Sequence, residues 1–195
     1  MRPDALLVWA MNGAPLPPQH GAPLRLLVPG WYGMAQVKWL TRIDVLTEPF
    51  TGFQNATAYR LKVEAEDPGT PVTRIRPRAL VAPPGFPDFM TRERFVRAGV
   101  VPLSGRAWSG RAPVTGVQVS TDGGGTWDDA TLAPADPAHP FAWRAWSYDW
   151  TAAPGRWDLL ARATDGEGAQ PVEPEWNRQG MANNVVQRVP VTVLP

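Results

Sequence analysis

Cysteine is absent from this sequence of 195 residues. Its absence excludes disulfide bonds, cysteine nucleophiles, thiolate metal sites and iron–sulfur clusters together. Histidine is scarce as well, because His20 and His139 are the only two and their separation does not match zinc-ligand spacing. The sequence also contains no glycine-rich phosphate loop and no nucleophile elbow. We therefore predict no metal site built by protein side chains alone.

Neither sign of charge predominates, since 19 Lys and Arg stand against 18 Asp and Glu and give a net charge of +1. The charges are interspersed, so neither nucleic acid nor an anionic membrane is predicted as a partner. The apolar run at residues 6–10 ends at Met11-Asn12-Gly13 and is too short for a signal peptide or a membrane span. Any export signal would lie upstream, which leaves both cytoplasm and periplasm open.

Proline and glycine are abundant, with 23 and 18 residues that follow no fixed period. Hydrophobic residues make up 44% and charged residues 19% of the chain, a composition that can bury a core. Many short elements joined by turns are typical of β-rich proteins. The sequence therefore predicts a mainly β chain.

The first third of the chain alternates apolar runs with turn residues. Three strands are predicted, at residues 6–10, 24–28 and 37–46. Residues 50–61 are compatible with either a short helix or an irregular crossover. Residues 67–94 are rich in proline, glycine and arginine and lack a sustained apolar period, so they are predicted to be a linker. It would separate a first domain, residues 1–66, from a second, residues 95–195.

The second domain is predicted to be an immunoglobulin-like β-sandwich. Five runs rich in Val, Trp, Leu and Ala are separated by turns, at residues 99–108, 114–120, 142–150, 157–163 and 185–193. Asp122-Gly123-Gly124-Gly125 predicts a tight hairpin, because glycine supplies the positive φ angles of such turns. Without a disulfide, a core rich in tryptophan must join the two sheets by burial alone.

A cluster of polar residues occurs in the first sixty positions. Cations beside glycine turns suit a ligand that carries phosphate, because Arg and Lys supply charge-assisted donors. The alternative is that the cations are solvated residues at strand ends and the histidine belongs to a turn. The residues concerned are Gln19-His20-Gly21, Arg25, Gln36-Val37-Lys38-Trp39 and Tyr59.

An ordered series of motifs over nearly the whole chain resembles the sulfite oxidase family. The second half of that family's molybdopterin domain is matched by Met11 to Pro17, His20-Gly21-Ala22-Pro23-Leu24-Arg25, Val28 to Gly33, Val37 to Leu40 and Arg42. Its immunoglobulin-like dimerisation domain is matched by Ala107-Trp108-Ser109-Gly110, Val117 to Trp127, Ala142 to Trp146 and Trp176-Asn177. The resemblance implies a partial α+β molybdopterin domain followed by a dimerisation sandwich.

The resemblance implies roles for individual residues. His20 and Arg25 would contact the pterin of a molybdenum–molybdopterin cofactor, and Tyr59 would face the substrate. The phosphate end of the cofactor would receive backbone and ammonium contacts from Gln36, Val37 and Lys38. Where the family has a substrate-binding arginine after Trp-Asn-x, this chain has Gln179, so Arg178 is the candidate replacement and the preference for sulfite is left open.

The resemblance also implies an activity and partners. Family members transfer an oxo group to sulfite or a related substrate, and the electrons pass to a cytochrome or another acceptor. The metal-ligating cysteine of the family lies in the N-terminal half of the molybdopterin domain, which this chain does not contain, so the chain alone is expected to be inactive. A homodimer formed through the C-terminal domain is expected, and a second chain that carries the missing half is a further possible partner.

Two features allow other interpretations. Residues 120–127 fit an Asp-box hairpin, which we interpret as structural because it occurs only once. Trp146, Tyr148 and Trp150 alternate along one predicted strand, opposite Trp143, and such a row suits a carbohydrate-binding module, a sandwich core or a dimer surface. A non-catalytic dimerisation or carbohydrate-binding module is therefore the alternative function.

Overall fold

The computed structural model describes residues 4–195, and it is mainly β as predicted. The strands are β1 Leu6–Val8, β2 Ala10–Met11, β3 Ala14–Pro15, β4 Arg25–Leu27, β5 Arg60–Leu61, β6 Thr70–Pro71, β7 Arg78–Ala82, β8 Phe86–Pro87, β9 Arg94–Arg97, β10 Gly99–Trp108, β11 Val114–Ser120, β12 Asp128–Asp129, β13 Thr131–Leu132, β14 Arg144–Ala152, β15 Gly155–Asp165 and β16 Val189–Leu194. Two 3₁₀ turns, Pro18–His20 and Gly33–Ala35, and one π-helical turn, Gln54–Ala58, accompany them. Across residues 4–195 no helix has the length and apolar character needed to cross a membrane.

The chain divides into two compact units. Unit 1 contains the residues up to Ile75 together with Trp176–Ala182, and unit 2 contains Arg76–Glu175 and Asn183–Pro195. The segment Trp176–Ala182 therefore belongs with the first unit, although the sequence suggested that it was part of the sandwich. Pairing of residues so far apart in sequence cannot be deduced from local patterns.

Unit 1 is built from short antiparallel pairs. Within the described residues, β1 pairs with β4, β2 with β3, and β5 with β6. The strand expected at residues 37–46 is not formed, so that prediction is wrong. Only Val37 and Leu40 exchange backbone hydrogen bonds with the β4 region, and Trp39 between them has φ 52°, a left-handed conformation that interrupts an extended strand.

The undecided segment at residues 50–61 is neither a regular helix nor a plain crossover. It makes the single π turn Gln54–Ala58, closed by the Tyr59 N–H donating to the Gln54 carbonyl at 2.9 Å, and then enters β5. Phe50 and Phe53 at the start of this segment are both more than three-fifths exposed.

Unit 2 is a β-sandwich of two sheets. One sheet has the order β13-β14-β10-β7, and the other has the order β12-β11-β15-β16-β9-β8. All pairs are antiparallel except β16 with β9. The predicted strands of this half are present, although β16 begins at Val189 rather than at residue 185.

The linker expected at residues 67–94 is wrong over much of its length. β7 pairs with β10 as an edge strand, and its Ala79 and Val81 are 0% and 2% exposed. The outer N–H groups of β7 donate to side chains, Ala79 to Gln170 Oε1 at 2.6 Å and Val81 to Gln187 Oε1 at 3.1 Å. These amides satisfy an edge that would otherwise invite strand pairing.

Tryptophan fills the space between the sheets. Trp146 and Trp150 on β14 are 2% and 4% exposed, and the Trp150 ring makes an edge contact with Trp157 of β15 at 5.9 Å between centroids. The same face carries Tyr148, which packs on the core. The two tryptophans of the alternating row are therefore sandwich core and leave no exposed indole on which a sugar could stack, and Tyr148 is partly buried beside them. The burial of this row contradicts the carbohydrate-binding alternative.

The glycine hairpin is confirmed, since β11 pairs with β12 across it. Asp122 closes the turn: Oδ1 accepts from the Thr126 N–H and the Ser120 hydroxyl, and Oδ2 accepts from the Thr126 hydroxyl. The Thr126 N–H, followed by the two hydroxyls, holds the pKa of the Asp122 carboxyl well below the ordinary 3.8. Trp127 closes the loop by donating from Nε1 to the Gly124 carbonyl at 3.1 Å.

Gln170 links the two sheets, because its Oε1 accepts from Ala79 of β7 and from Ala163 of β15. We predict that Gln170→Leu lowers the free energy of unfolding by about 2–3 kcal/mol, since two buried N–H groups lose their acceptor. Gln187→Leu removes one acceptor from β7 and should cost about 1 kcal/mol. Urea unfolding measures both; equal losses would show that the double contact of Gln170 has no special weight.

Acid should weaken the contribution of Asp122. Its folded pKa is depressed, so the stabilisation is present above the unfolded value of 3.8 and is lost as the pH falls through the folded value. The difference in urea midpoint between the native chain and Asp122→Asn should therefore be larger at neutral pH than in acid well below 3.8. Asp149→Asn is the matched control, because this carboxylate accepts no hydrogen bond within residues 4–195. A difference for Asp122 that does not vary with pH would contradict the prediction.

Candidate functional site

The predicted cations gather around the 3₁₀ turn Pro18–His20. Arg25 Nη1 donates to the His20 carbonyl at 3.0 Å, and Lys38 Nζ donates to the Gln19 carbonyl at 2.9 Å. Trp39 Nε1 donates to the Pro18 carbonyl at 2.8 Å. Each cation uses one donor in this way and retains others, so the turn carries two positive charges with spare N–H groups.

Gly21 follows the turn and separates the two cations. Its φ of 107° is unfavourable for other residues, and a β-carbon there would lie 3.0 Å from Lys38 Cβ and 3.2 Å from Arg25 Cβ. The absence of a side chain therefore allows the lysine and the arginine to approach the turn together. His20 itself is exposed beside them.

Gln36 is held by its side chain against the strand region before it. Its side-chain amide exchanges two hydrogen bonds with the backbone of Val28, both at 2.8 Å, and Nε2 also donates to the Trp31 carbonyl at 3.2 Å. Its own N–H donates to Gly33, while the Val37 carbonyl accepts from Leu26. Gln36 therefore fixes the turn before Lys38, and a ligand would have to replace these bonds to contact its amide.

Tyr59 lies half-buried between the π turn and β5. Its carbonyl accepts from the Val72 N–H at 2.9 Å, and within the described residues its hydroxyl makes no hydrogen bond. The neighbouring Arg60 is occupied, because Nη2 donates to the Gly69 carbonyl at 2.7 Å. The phenol is thus the polar group at this place that remains available to a ligand.

Arg178 reaches the same unit from the far end of the sequence. Its N–H donates to the Lys62 carbonyl at 2.8 Å, three residues beyond Tyr59. The loop that carries it is closed by Asn177, whose side-chain amide exchanges two hydrogen bonds of 2.9 Å with the backbone of Met181. The Arg178 side chain is exposed and makes no ion pair within residues 4–195.

The structure thus brings the predicted residues into two groups within unit 1. His20, Arg25 and Lys38 lie at the 3₁₀ turn, whereas the backbone of Arg178 is bonded to Lys62, three residues after Tyr59. Across residues 4–195 no hydrogen bond connects the two groups. Trp39 belongs to the predicted polar cluster but received no role from the sequence. Its indole lies beside the ammonium of Lys38, with Nζ 4.9 Å from the ring centroid.

No set of three or more His, Cys, Asp and Glu residues in the described part of the chain is arranged to hold a metal ion. A metal in this region would therefore need ligands from another source. Molybdenum in a pterin cofactor has such a source, because the cofactor brings its own sulfur ligands.

Comparison with known proteins identifies the family of this chain. The profile described as "Oxidoreductase molybdopterin binding domain" matches residues 1–54, and that described as "Mo-co oxidoreductase dimerisation domain" matches residues 83–194, more than half of the chain. The chain belongs to the sulfite oxidase family of molybdopterin-dependent oxidoreductases. This assignment confirms the resemblance seen in the motifs.

Individual relatives agree with the family. The mitochondrial sulfite oxidase of Mus musculus is 35% identical over 208 residues that include all of this chain and 38% of the mouse protein. A nitrate reductase [NAD(P)H] of Hordeum vulgare is 30% identical over 97% of this chain and 24% of its own length. The sulfane dehydrogenase SoxCD from Paracoccus pantotrophus superposes with a TM-score of 0.82 at 25% identity, covering 99% of this chain and 51% of that one. The chain thus spans less than two fifths of the mouse sulfite oxidase.

The residues of the 3₁₀ turn fit the phosphate-bearing cofactor that this family implies. Gly21 has no side chain to crowd Arg25 and Lys38, whose β-carbons would lie 3.2 and 3.0 Å from a β-carbon at this position, so both cationic donors can stay beside the turn. Arg25 Nε is also buried without a hydrogen-bond partner among residues 4–195. A buried donor that lacks an acceptor is costly, and an anionic group at the turn would relieve that cost.

Proposed function

We propose that this chain supplies part of the cofactor pocket, and the dimerisation domain, of a molybdenum oxidoreductase that acts on sulfite or a related oxyanion. The observation that carries the proposal is the placement of Arg25 and Lys38 on either side of Gly21, with the buried Nε of Arg25 lacking an acceptor. Residues 1–66 would form the rear of the molybdopterin-binding domain and residues 95–195 the dimerisation domain. β7 adds the segment before residue 95 to the second of these.

Arg25 and Lys38 would bind the phosphate end of molybdopterin through charge-assisted hydrogen bonds, with His20 beside the pterin. Val37 and Gln36 shape the backbone that leads to the lysine. When bound, the molybdenum–molybdopterin group supplies the oxygen-transfer and electron-transfer chemistry. The chain contributes the positions of the donors that hold it.

Tyr59 and Arg178 would bind the substrate. The free phenol donates one hydrogen bond to an oxyanion, and the unpaired guanidinium neutralises its charge. Asn177 acts as a positioning residue, because its side chain closes the loop that carries Arg178.

The surface of unit 1 indicates a protein partner. Large hydrophobic side chains remain exposed there, among them Trp9 at 70%, Val45 at 95% and Phe53 at 67%. Exposed apolar groups in such number are typical of an interface. We infer that the remainder of the molybdopterin domain covers them and brings the cysteine that ligates the metal. A cytochrome is the proposed electron acceptor, and a second copy of this chain is the proposed partner of unit 2.

A chimaera tests the cofactor role. In mouse sulfite oxidase, the part that aligns with this chain is replaced by it, and molybdenum and released pterin are measured per protein chain. We expect stoichiometric cofactor in this chimaera, and retention at least about tenfold weaker with Arg25→Ala or Lys38→Ala, since each removes a charge-assisted hydrogen bond.

Arg42→Ala is the matched control for the cofactor test, because Arg42 is an exposed cation that pairs with Asp44. It should leave the molybdenum content unchanged. A folded chimaera that contains no pterin, or one that keeps its cofactor after both substitutions, would exclude the proposed role of the 3₁₀ turn.

The same chimaera tests the substrate residues by steady-state kinetics with sulfite. Arg178→Ala should raise KM by about tenfold or more through loss of an ionic contact, and Arg178→Lys should restore part of it. Tyr59→Phe should lower kcat/KM by about tenfold. Gln179→Ala, which alters the neighbouring position, should have little effect. If Gln179→Arg raises activity and Arg178→Ala does not reduce it, Arg178 does not replace the family arginine.

A further inference from the structure

The hairpin between β8 and β9 has a rigid tip. Asp88 accepts from both the N–H and the hydroxyl of Thr91 at 2.7 Å, and its own N–H donates to the Glu93 carbonyl at 2.8 Å. Arg92 adopts φ 64°, donates its N–H to the Asp88 carbonyl at 3.0 Å, and lies 5.4 Å from the centre of the Phe89 ring. The conformation of the tip is therefore fixed by its own contacts.

This tip is apolar and exposed. Phe86, Phe89 and Met90 are 82%, 78% and 83% exposed, although all three lie within five positions. In the described part of unit 2 only three other large hydrophobic side chains are exposed, namely Val100, Trp143 and Leu194, and they occur singly along the sequence. The hairpin therefore concentrates half of the exposed large hydrophobic residues of this unit.

Two sheet edges are unsuited to pairing with another chain. The β7 edge is occupied by the side chains of Gln170 and Gln187. β7 pairs with residues 104–108 of β10, so within the described structure Val100 and Pro102 of β10 have no strand beside them on that edge. Proline provides no N–H for a ladder at that edge. Another chain would therefore have to associate with unit 2 through side-chain contacts. The hairpin tip between β8 and β9 carries the largest number of exposed hydrophobic side chains close together in sequence.

We propose that the hairpin tip, residues 86–90, forms the centre of the contact between two copies of this chain. The inference rests on the proposed homodimer and identifies its surface. The profile that matches residues 83–194 is that of a dimerisation domain, and it includes this hairpin. In a two-fold contact the same patch meets itself, and the neighbouring Asp88 and Arg92 give each copy both signs of charge, so opposite charges can face across the axis.

The exposed area suits this role. A fully buried phenylalanine contributes about 150–250 Å². Phe86 and Phe89, each about four-fifths exposed, would therefore provide roughly 300 Å² of the about 800 Å² per partner found in a stable interface, and Met90 would add to this area. The flanking charged residues would form its polar rim. A tip that is already ordered loses little conformational entropy on association.

The test compares two pairs of exposed phenylalanines, each pair three positions apart. Phe86→Ser with Phe89→Ser should weaken the dimer at least about a hundredfold, since aromatic residues at the centre of an interface provide most of its affinity. Phe50→Ser with Phe53→Ser in unit 1 is the matched control and should leave the dimer unchanged. Sedimentation and light scattering over a range of concentrations measure the mass, and circular dichroism checks that each variant is folded.

A second measurement does not depend on weakening the dimer. The chain has no cysteine, so Met90→Cys introduces a single thiol. If two tips meet, mild oxidation should crosslink the dimer through this thiol far faster than through the control Val100→Cys. This variant also tests the proposal if the double serine variant fails to fold.

The outcomes distinguish a failure of the proposed homodimer from a failure of the hairpin contact alone. A native chain that stays monomeric at all concentrations overturns the homodimer and the hairpin contact together. A dimer that persists in the Phe86→Ser, Phe89→Ser variant, without a crosslink at residue 90, overturns only the hairpin contact and assigns these residues to another partner. Dissociation by the control pair instead would place self-association on unit 1, which also overturns the inference.

Discussion

The indole of Trp146 lies over Gly105 on the neighbouring strand, so closely that a β-carbon at residue 105 would be 2.5 Å from the ring and 1.9 Å from the Leu80 carbonyl. This fit allows a large aromatic side chain to be buried between two sheets that no disulfide connects. Aromatic burial provides much of the driving force for packing the sheets, but it does not fix their relative positions, because the hydrophobic effect is non-directional. Gln170 adds directional contacts, since its Oε1 accepts hydrogen bonds from β7 of one sheet and β15 of the other.

Parts of the sandwich with a local sequence pattern could be predicted, and parts that depend on distant partners could not. Its longer strands alternate or run apolar between turn residues, and the glycine hairpin has a local sequence pattern. β7 has neither feature, because its five residues stand among prolines and arginines. Its partners are Gln170 and Gln187, 91 and 106 positions away, and nothing near β7 in the sequence indicates them. Similarly, the periodicity of residues 37–46 predicted a strand, but the left-handed Trp39 interrupts it.

In the candidate site too, some features could be predicted from local motifs and others depend on tertiary structure. Arg25 and Lys38 were found because cations beside glycine turns suit phosphate and because the motif resembles the family. That they converge on the carbonyls of a single 3₁₀ turn depends on tertiary structure. Gln36 illustrates the difference, since nothing in the motif indicates that its side-chain amide is bonded to the Val28 backbone. The return of Trp176–Ala182 to unit 1 likewise involves pairing distant in sequence, such as the backbone bond between Arg178 and Lys62.

The two units differ in what their exposed apolar residues require. In unit 1 these residues are spread over several segments, from Leu6 to Val63 and at Trp176, and covering so extended a surface would take a large complementary partner. In unit 2 half of them are concentrated in one hairpin, and a small patch on a rigid tip can be covered by its own copy. The proposed cofactor pocket and the proposed dimer contact therefore depend on different properties of the sequence. The pocket would require charged donors at particular places, such as Arg25 and Lys38, whereas the dimer contact would require shape and apolar character at residues 86–90.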